Sequence, residues 1–187
     1  MAQKKLSTLP KKIIGKYYKK DTPLYDLLWT HSKLVASLAL EIAEAHPGWE
    51  IDKAFLYEAA MLHDIGIYLT DAPSIGCTGP HPYIQHGILG AHILLEEGLP
   101  KHALVCERHT GVGLTLQDII TRGLPLPARE MVPVSIEEQL ICYADCFYSK
   151  SGDPKEKRTV ERILSSLAKR SEEQVLKFRA WHSLFNS

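Results

Sequence analysis

The chain contains no run of 18 consecutive apolar residues, so no membrane-crossing helix is expected. It also lacks net charge, because 22 Lys and Arg cancel 22 Asp and Glu. Nothing in that balance points to nucleic acid, a membrane surface or an acidic partner. Cysteine is scarce and unpatterned: Cys77, Cys106, Cys142 and Cys146 form no CxxC pair, which suits reduced thiols in a cytoplasmic protein. The N-terminus has no continuous apolar stretch of the kind a secretory signal needs. Seven lysines among the first 20 residues surround only scattered apolar side chains, which reads as a solvated, basic helical segment over residues 1–21. With 187 residues, 45% of them hydrophobic, one soluble domain with a full core remains.

Convincing alternation of apolar and polar residues is absent too, as are internal repeats and low-complexity tracts. The periodicity is helical. Leu24, Leu27, Leu28, His31, Leu34, Val35, Leu38 and Ile42 recur at steps of three and four and mark one apolar stripe. Asp21 or Thr22 caps it, Pro23 opens its first turn, and Pro47-Gly48 stops it. Further helices are expected over about 52–65 (ended by Gly66), 82–97, 100–110, a short one near 116–122, 135–150, 155–169 and 172–185. Ser135 with Glu138 forms a capping-box pattern. The expectation is an all-α, single-domain helical bundle. Residues 22–150 form its body, and 151–187 supply helices that pack on the same domain or on a second chain as a homodimer.

Inside this pattern "AAMLHDIGIYL", residues 59–69, places His63 and Asp64 side by side in an apolar run. An ionised carboxylate buried there needs a cation or dense hydrogen bonding. Four other groups fall at or near inward positions on separate helices. His31 lies one turn past Leu27, His86 precedes a Gly87–Gly90 turn that allows close helix contact, and His109 follows Val105 by a turn. Asp145 shares a face with Ile141 and Tyr148. Any one of them reads as a satisfied core residue. Six together are hard to satisfy with mutual hydrogen bonds alone, whereas divalent cations satisfy imidazole nitrogens and carboxylate oxygens alike.

The ordered set His31, His63-Asp64, His86, His109 and Asp145 resembles the signature of the HD superfamily of metal-dependent phosphohydrolases, and "HDIG" at 63–66 is its commonest spelling. The resemblance covers about residues 24–150. It implies that His31, His63, Asp64 and Asp145 hold one metal, and that His86 and His109 add a second bridged by Asp64. The ions expected are two divalent metals, iron first, with manganese, magnesium, zinc or nickel as alternatives. The implied reaction cleaves a phosphoester or phosphoanhydride bond of a small nucleotide-like molecule, with a metal-bridging hydroxide as nucleophile, so that Asp64 carries the catalytic role. Segments "HGILGAHILLEEG", "HTGVG" and "ICYADCFYSK" are similar to those of HD-type bacterial hydrolases of diadenosine tetraphosphate. One departure stands out: where many dinuclear relatives have Lys after HDIG, this chain has Ile67.

Phosphate contacts must then come from elsewhere. Lys150 and Arg108 are the candidates next to site residues, with His81 in a Gly/Pro-bounded loop and His102 two turns before His109 as further substrate contacts. His46, His92 and His182 read as structural or exposed. Two rivals remain: a mixed-valent di-iron oxygenase with the same six ligands, and a non-catalytic binding module, against which the intact ligand set counts.

Overall fold

The computed structural model describes residues 7–187. Nine α-helices occur among them: α1 Leu9–Tyr17, α2 Pro23–Ala45, α3 Lys53–Leu62, α4 His86–Glu96, α5 Pro100–Arg108, α6 Leu116–Thr121, α7 Ile136–Asp145, α8 Val160–Ala168 and α9 Glu172–Phe185. The helical bundle is as expected. Among the described residues no helix is long and apolar enough to cross a membrane.

Local chemistry sets the ends. The Thr22 hydroxyl accepts from the Tyr25 amide ahead of Pro23, and Asp52 accepts from the amides of Ala54 and Phe55 at 3.0 and 3.1 Å. His46 leaves the helical region just before Pro47, whose ring disfavours it there. α3 stops at Leu62, three residues before Ile65. From there the chain tightens into successive i→i+3 bonds, Ile65 N to Leu62 O and Ile67 N to Asp64 O, both at 3.1 Å. His63 and Asp64, at the end of α3 and in the turn that follows it, are both fully buried.

A small three-stranded sheet was not expected. Strands β1 (Thr70–Ala72), β2 (Cys77–Thr78) and β3 (His81–Pro82) lie in the order β2-β1-β3, with β1 antiparallel to β2 and parallel to β3. It occupies the loop between the HDIG turn and α4, and the expected helix from 82 begins properly only at His86.

Among the described residues two large buried clusters make most of the core, beside a small third one of Leu114, Ile119 and Met131. One joins α2, α3, α7 and α9 through residues such as Val35, Leu56, Leu140, Ile141 and Phe178. The other joins α1, α4 and α5 to the HDIG turn through Ile14, Leu62, Ile65, Leu94 and Cys106. Each large side chain so buried contributes roughly 1.5–3 kcal/mol. α2 serves both, Leu28 in one and Val35 in the other, with His31 between them. The basic N-terminal helix is not merely solvated. Lys11, Lys12 and Lys16 point outward, while Ile13, Ile14 and Tyr18 are buried. Lys4 and Lys5 lie outside the described residues.

Candidate metal centre

Helix ends deliver most of the site. His63 and Asp64 follow α3, His86 begins α4, His109 follows α5, Asp145 ends α7, and only His31 comes from mid-helix. Glycine makes the convergence possible. A Cβ on Gly66 would lie 2.9 Å from the Gly90 Cα and closer still to the His86 carbonyl, and one on Gly87 would lie 2.6 Å from the Cys106 carbonyl oxygen. α4 therefore presses backbone-to-backbone against both the HDIG turn and α5, which brings His86 and His109 together.

Asp64 is fully buried, and its two oxygens face different neighbours. Oδ2 lies 3.1 Å from Nε2 of both His31 and His63, and 2.7 Å from the Lys150 ammonium. Asp145 Oδ1 joins this side, 2.9 Å from His31 Nε2 and 3.5 Å from His63 Nε2. Asp64 Oδ1 lies 3.4 Å from Nε2 of both His86 and His109. The ligand atoms of His31, His63, Asp64 and Asp145 lie within 4.8 Å of one another, as do those of Asp64, His86 and His109.

These atoms are close without being satisfied. His63 Nε2, His31 Nε2, both Asp64 oxygens and Asp145 Oδ1 are buried and lack an aligned hydrogen-bond partner. The Nδ1 atoms of His63, His86 and His109 each point at a backbone carbonyl, of Ala60, Tyr83 and Cys106, at 2.6–2.7 Å. A carbonyl only accepts, so Nδ1 carries the hydrogen and a neutral ring turns its Nε2 lone pair inward. Two such lone pairs meet at 3.0 Å between His86 and His109. Orphaned oxygens and facing imidazole nitrogens are what a divalent cation resolves, and this donor set fits one.

Electrostatics divides the site. Burial works against charge on His63, but Asp64 and Asp145 outweigh it and raise its pKa to about 10. Burial, reinforced by neighbouring His109, pushes His86 down to about 3. Burial alone would raise Asp64, yet Lys150 and His63 hold it well below the carboxylate range. Lys150 is held well above its ordinary value because Asp64, Tyr83 and Asp145 outweigh its own burial.

A cavity of about 410 Å³ opens beside the cluster, lined by His86, His109, Asp145 and Lys150. Tyr83 lines it too and stacks on His86, with ring centroids 4.7 Å apart. Arg158 and Arg170 line it from the C-terminal segment. The sequence reading missed these three: nothing local sets apart an arginine in a charged stretch such as "KEKRTVER". Lys150, one of the candidates, lines the cavity. Arg108 and His102 are taken up elsewhere. Arg108 pairs with buried Glu138 at 3.1 Å, bracing α5 against α7, and His102 lies 3.2 Å from Glu58 with its ring on Phe55. Neither lines the cavity, nor does half-buried His81 on β3. Glu138's link to Arg108 also explains the half-made capping box: Ser135 accepts from the Glu138 amide, but the Glu138 carboxylate serves Arg108 and the Val134 amide. Cys142 and Cys146 are buried packing groups, and burial pushes the Cys146 thiol up to about 12.

A helical bundle that gathers four histidines and two aspartates around one buried centre is the class of protein that the fold and the site define. Residues 28–149 match the HD domain family, and the chain belongs to it. It is 36% identical over 118 residues to an uncharacterized protein of Methanocaldococcus jannaschii, a match covering 62% of each chain. It is also 32% identical over 121 residues to a tRNA (cytidine(56)-2'-O)-methyltransferase of Picrophilus torridus and 30% identical over 125 to that of Thermoplasma volcanium. Those matches take 64% and 66% of this chain but only 31% and 32% of the relatives. No solved structure matches the chain.

Proposed function

We propose that this chain is a dinuclear metal-dependent phosphohydrolase that cleaves a phosphoester or phosphoanhydride bond in a small nucleotide-like substrate. The observation that carries the reading is the division of the buried Asp64 between two donor groups, beside a cavity lined by His86, His109, Asp145 and cationic side chains. His31, His63, Asp64 and Asp145 would hold one ion, and His86, His109 and the other Asp64 oxygen a second. Iron is the first choice, with manganese, magnesium, zinc or nickel as alternatives for a mixed nitrogen and oxygen site. When bound, such ions lend Lewis acidity to a phosphoryl oxygen and acidify bound water.

The chain's own groups do the remaining work. Lys150, kept protonated beside the carboxylates, presents positive charge where a phosphoryl group would gain negative charge. That answers the missing lysine after HDIG: the cation arrives from the far end of the domain. Tyr83, whose phenol burial raises to about 12, keeps its proton and holds His86 through its carbonyl and ring. A volume of about 410 Å³ is near the low end of the roughly 300–1,000 Å³ usual for ligand pockets, which favours a single nucleotide-sized molecule over RNA. Dinucleoside polyphosphates belong to the class to be tested, with one half left outside the cavity.

Anaerobically purified protein should carry two divalent ions per chain by elemental analysis. With manganese it should release phosphate or a nucleotide from members of a phosphorylated-metabolite panel without oxygen. Turnover only with iron and dioxygen would replace this reading with a di-iron oxygenase, and one ion per chain would remove the dinuclear assignment.

A further inference from the structure

Residues 150–187 lie beyond the stretch that matches the HD family, yet they build one wall of the cavity. Lys150, Arg158 and Arg170 line it, while Asp145 is the only carboxylate among the lining residues. Lys150 is committed to Asp64 at 2.7 Å. The two arginines are not committed to any acid. Arg108, Arg129 and Arg162 each pair with a glutamate, but among the described residues no carboxylate lies within 4.0 Å of Arg158 or Arg170.

Both are nonetheless tied to the segments that carry metal-centre residues. Arg158 donates from Nη1 to the carbonyl of Cys146, next to Asp145, at 3.4 Å, and its amide donates to the Phe147 carbonyl at 2.8 Å. Arg170 reaches Gly111, two residues past His109. Its Nη1 would lie 2.8 Å from a Cβ there, so glycine leaves the room the guanidinium uses. Gln174 stands at the same place, 3% exposed, with both amide atoms unpartnered and Oε1 also beside Gly111. A buried amide nitrogen without a partner stands beside the Arg170 guanidinium, at the edge of a cavity that Arg158 also lines, and an anion with several acceptor oxygens would answer such donors.

We propose that Arg158 and Arg170 form a second phosphate subsite, so that the substrate carries a phosphate group besides the one cleaved at the metal centre. The inference rests on the phosphohydrolase reading and narrows it to small molecules with two phosphate groups. The planar guanidinium fork matches phosphate oxygens two at a time, which a lysine in either place would not. Because the subsite lies outside the family match, it is the part of the cavity peculiar to this chain's substrate.

AMP and adenosine 3′,5′-bisphosphate share base and sugar and differ by one phosphate, so they serve as probes. The manganese-loaded protein should prefer the bisphosphate in kcat/KM. In the Arg158→Gln, Arg170→Gln double variant that preference should fall by about tenfold or more, the size expected for lost charge-assisted hydrogen bonds. Arg170→Lys, a change at an exposed position, should reproduce part of the fall with an unchanged melting temperature. Equal kcat/KM for the two probes in the parent protein, or an unaltered preference in the double variant, overturns the subsite. If the parent turns over neither probe, the hydrolase reading is decided by the wider metabolite panel. The subsite is then judged by calorimetry: the ratio of the two dissociation constants falls about tenfold in the double variant if it exists, and stays fixed if it does not.

Discussion

The Oδ2 side of Asp64 and its Oδ1 side are assembled from similar ligands but are electrically unlike. Facing Oδ2, two histidines meet a second carboxylate and the Lys150 ammonium, and His63 is driven toward its charged form. Facing Oδ1 there are only His86 and His109, and His86 is driven toward neutrality. On the first side an ammonium already balances charge when no metal is bound. On the second, nothing answers the facing imidazole nitrogens except a cation. The second group should therefore depend more completely on its metal, and the first should tolerate metal loss better.

The largest effect expected is from Asp64→Ala, which removes the oxygens of both sides. Bound metal and turnover should vanish together, and a normal metal content would disprove the shared role. Next, His86→Ala or His109→Ala should leave one ion per chain and lower turnover on the order of a hundredfold or more, since even groups that merely orient ligands cost 10–100-fold. Two ions per chain after either change would abolish the distinction between the sides. Gly66→Ala should destabilise the fold by about 1–3 kcal/mol, because its methyl meets backbone rather than a movable side chain. As α4 shifts, the ion between His86 and His109 should weaken first, which a metal titration reads directly; equal weakening of both ions would blur the comparison.

The smallest effect is a pH dependence of the chelated protein. His86, at about 3 when folded and 6.5 otherwise, contributes stability that is present above 6.5 and lost as pH falls toward 3. His63, at about 10 when folded, contributes stability that is present below 6.5 and lost as pH rises through 10. Melting temperature should peak near neutrality and fall on both flanks. His86→Asn should flatten the acid flank, and an unchanged acid flank would count against the neutral imidazole.

How legible this was depended on range. The stripe on α2, its Thr22 and Pro23 start and the six ligand candidates were all readable, because periodicity and residue chemistry are local. The sheet over 70–82 was not, since strands of two or three residues around Gly76, Gly79 and Pro82 leave no alternation to detect. α7 was expected to continue to Lys150 but ends at Asp145, where an antiparallel bridge between Tyr148 and Lys157 and the bond from the Arg158 amide to Phe147 take over. Those partners lie nine or more residues downstream, out of reach of a pattern argument. The same distance hid Arg158 and Arg170, and the burial of Tyr18 was masked by the lysines around it.

The Tyr18 hydroxyl donates to the Ile65 carbonyl at 2.7 Å and receives the Tyr68 amide at 3.3 Å, bracketing Gly66 from both directions. A single phenol thus acts as a splint beneath the HDIG bend, and it belongs to a stretch ten positions ahead of residue 28. Anyone trimming the protein to 28–149 would preserve every ligand yet discard this splint together with the two arginines at the opposite end. On the proposed function, such a fragment should grip its ions loosely and have little means of telling one phosphorylated molecule from another.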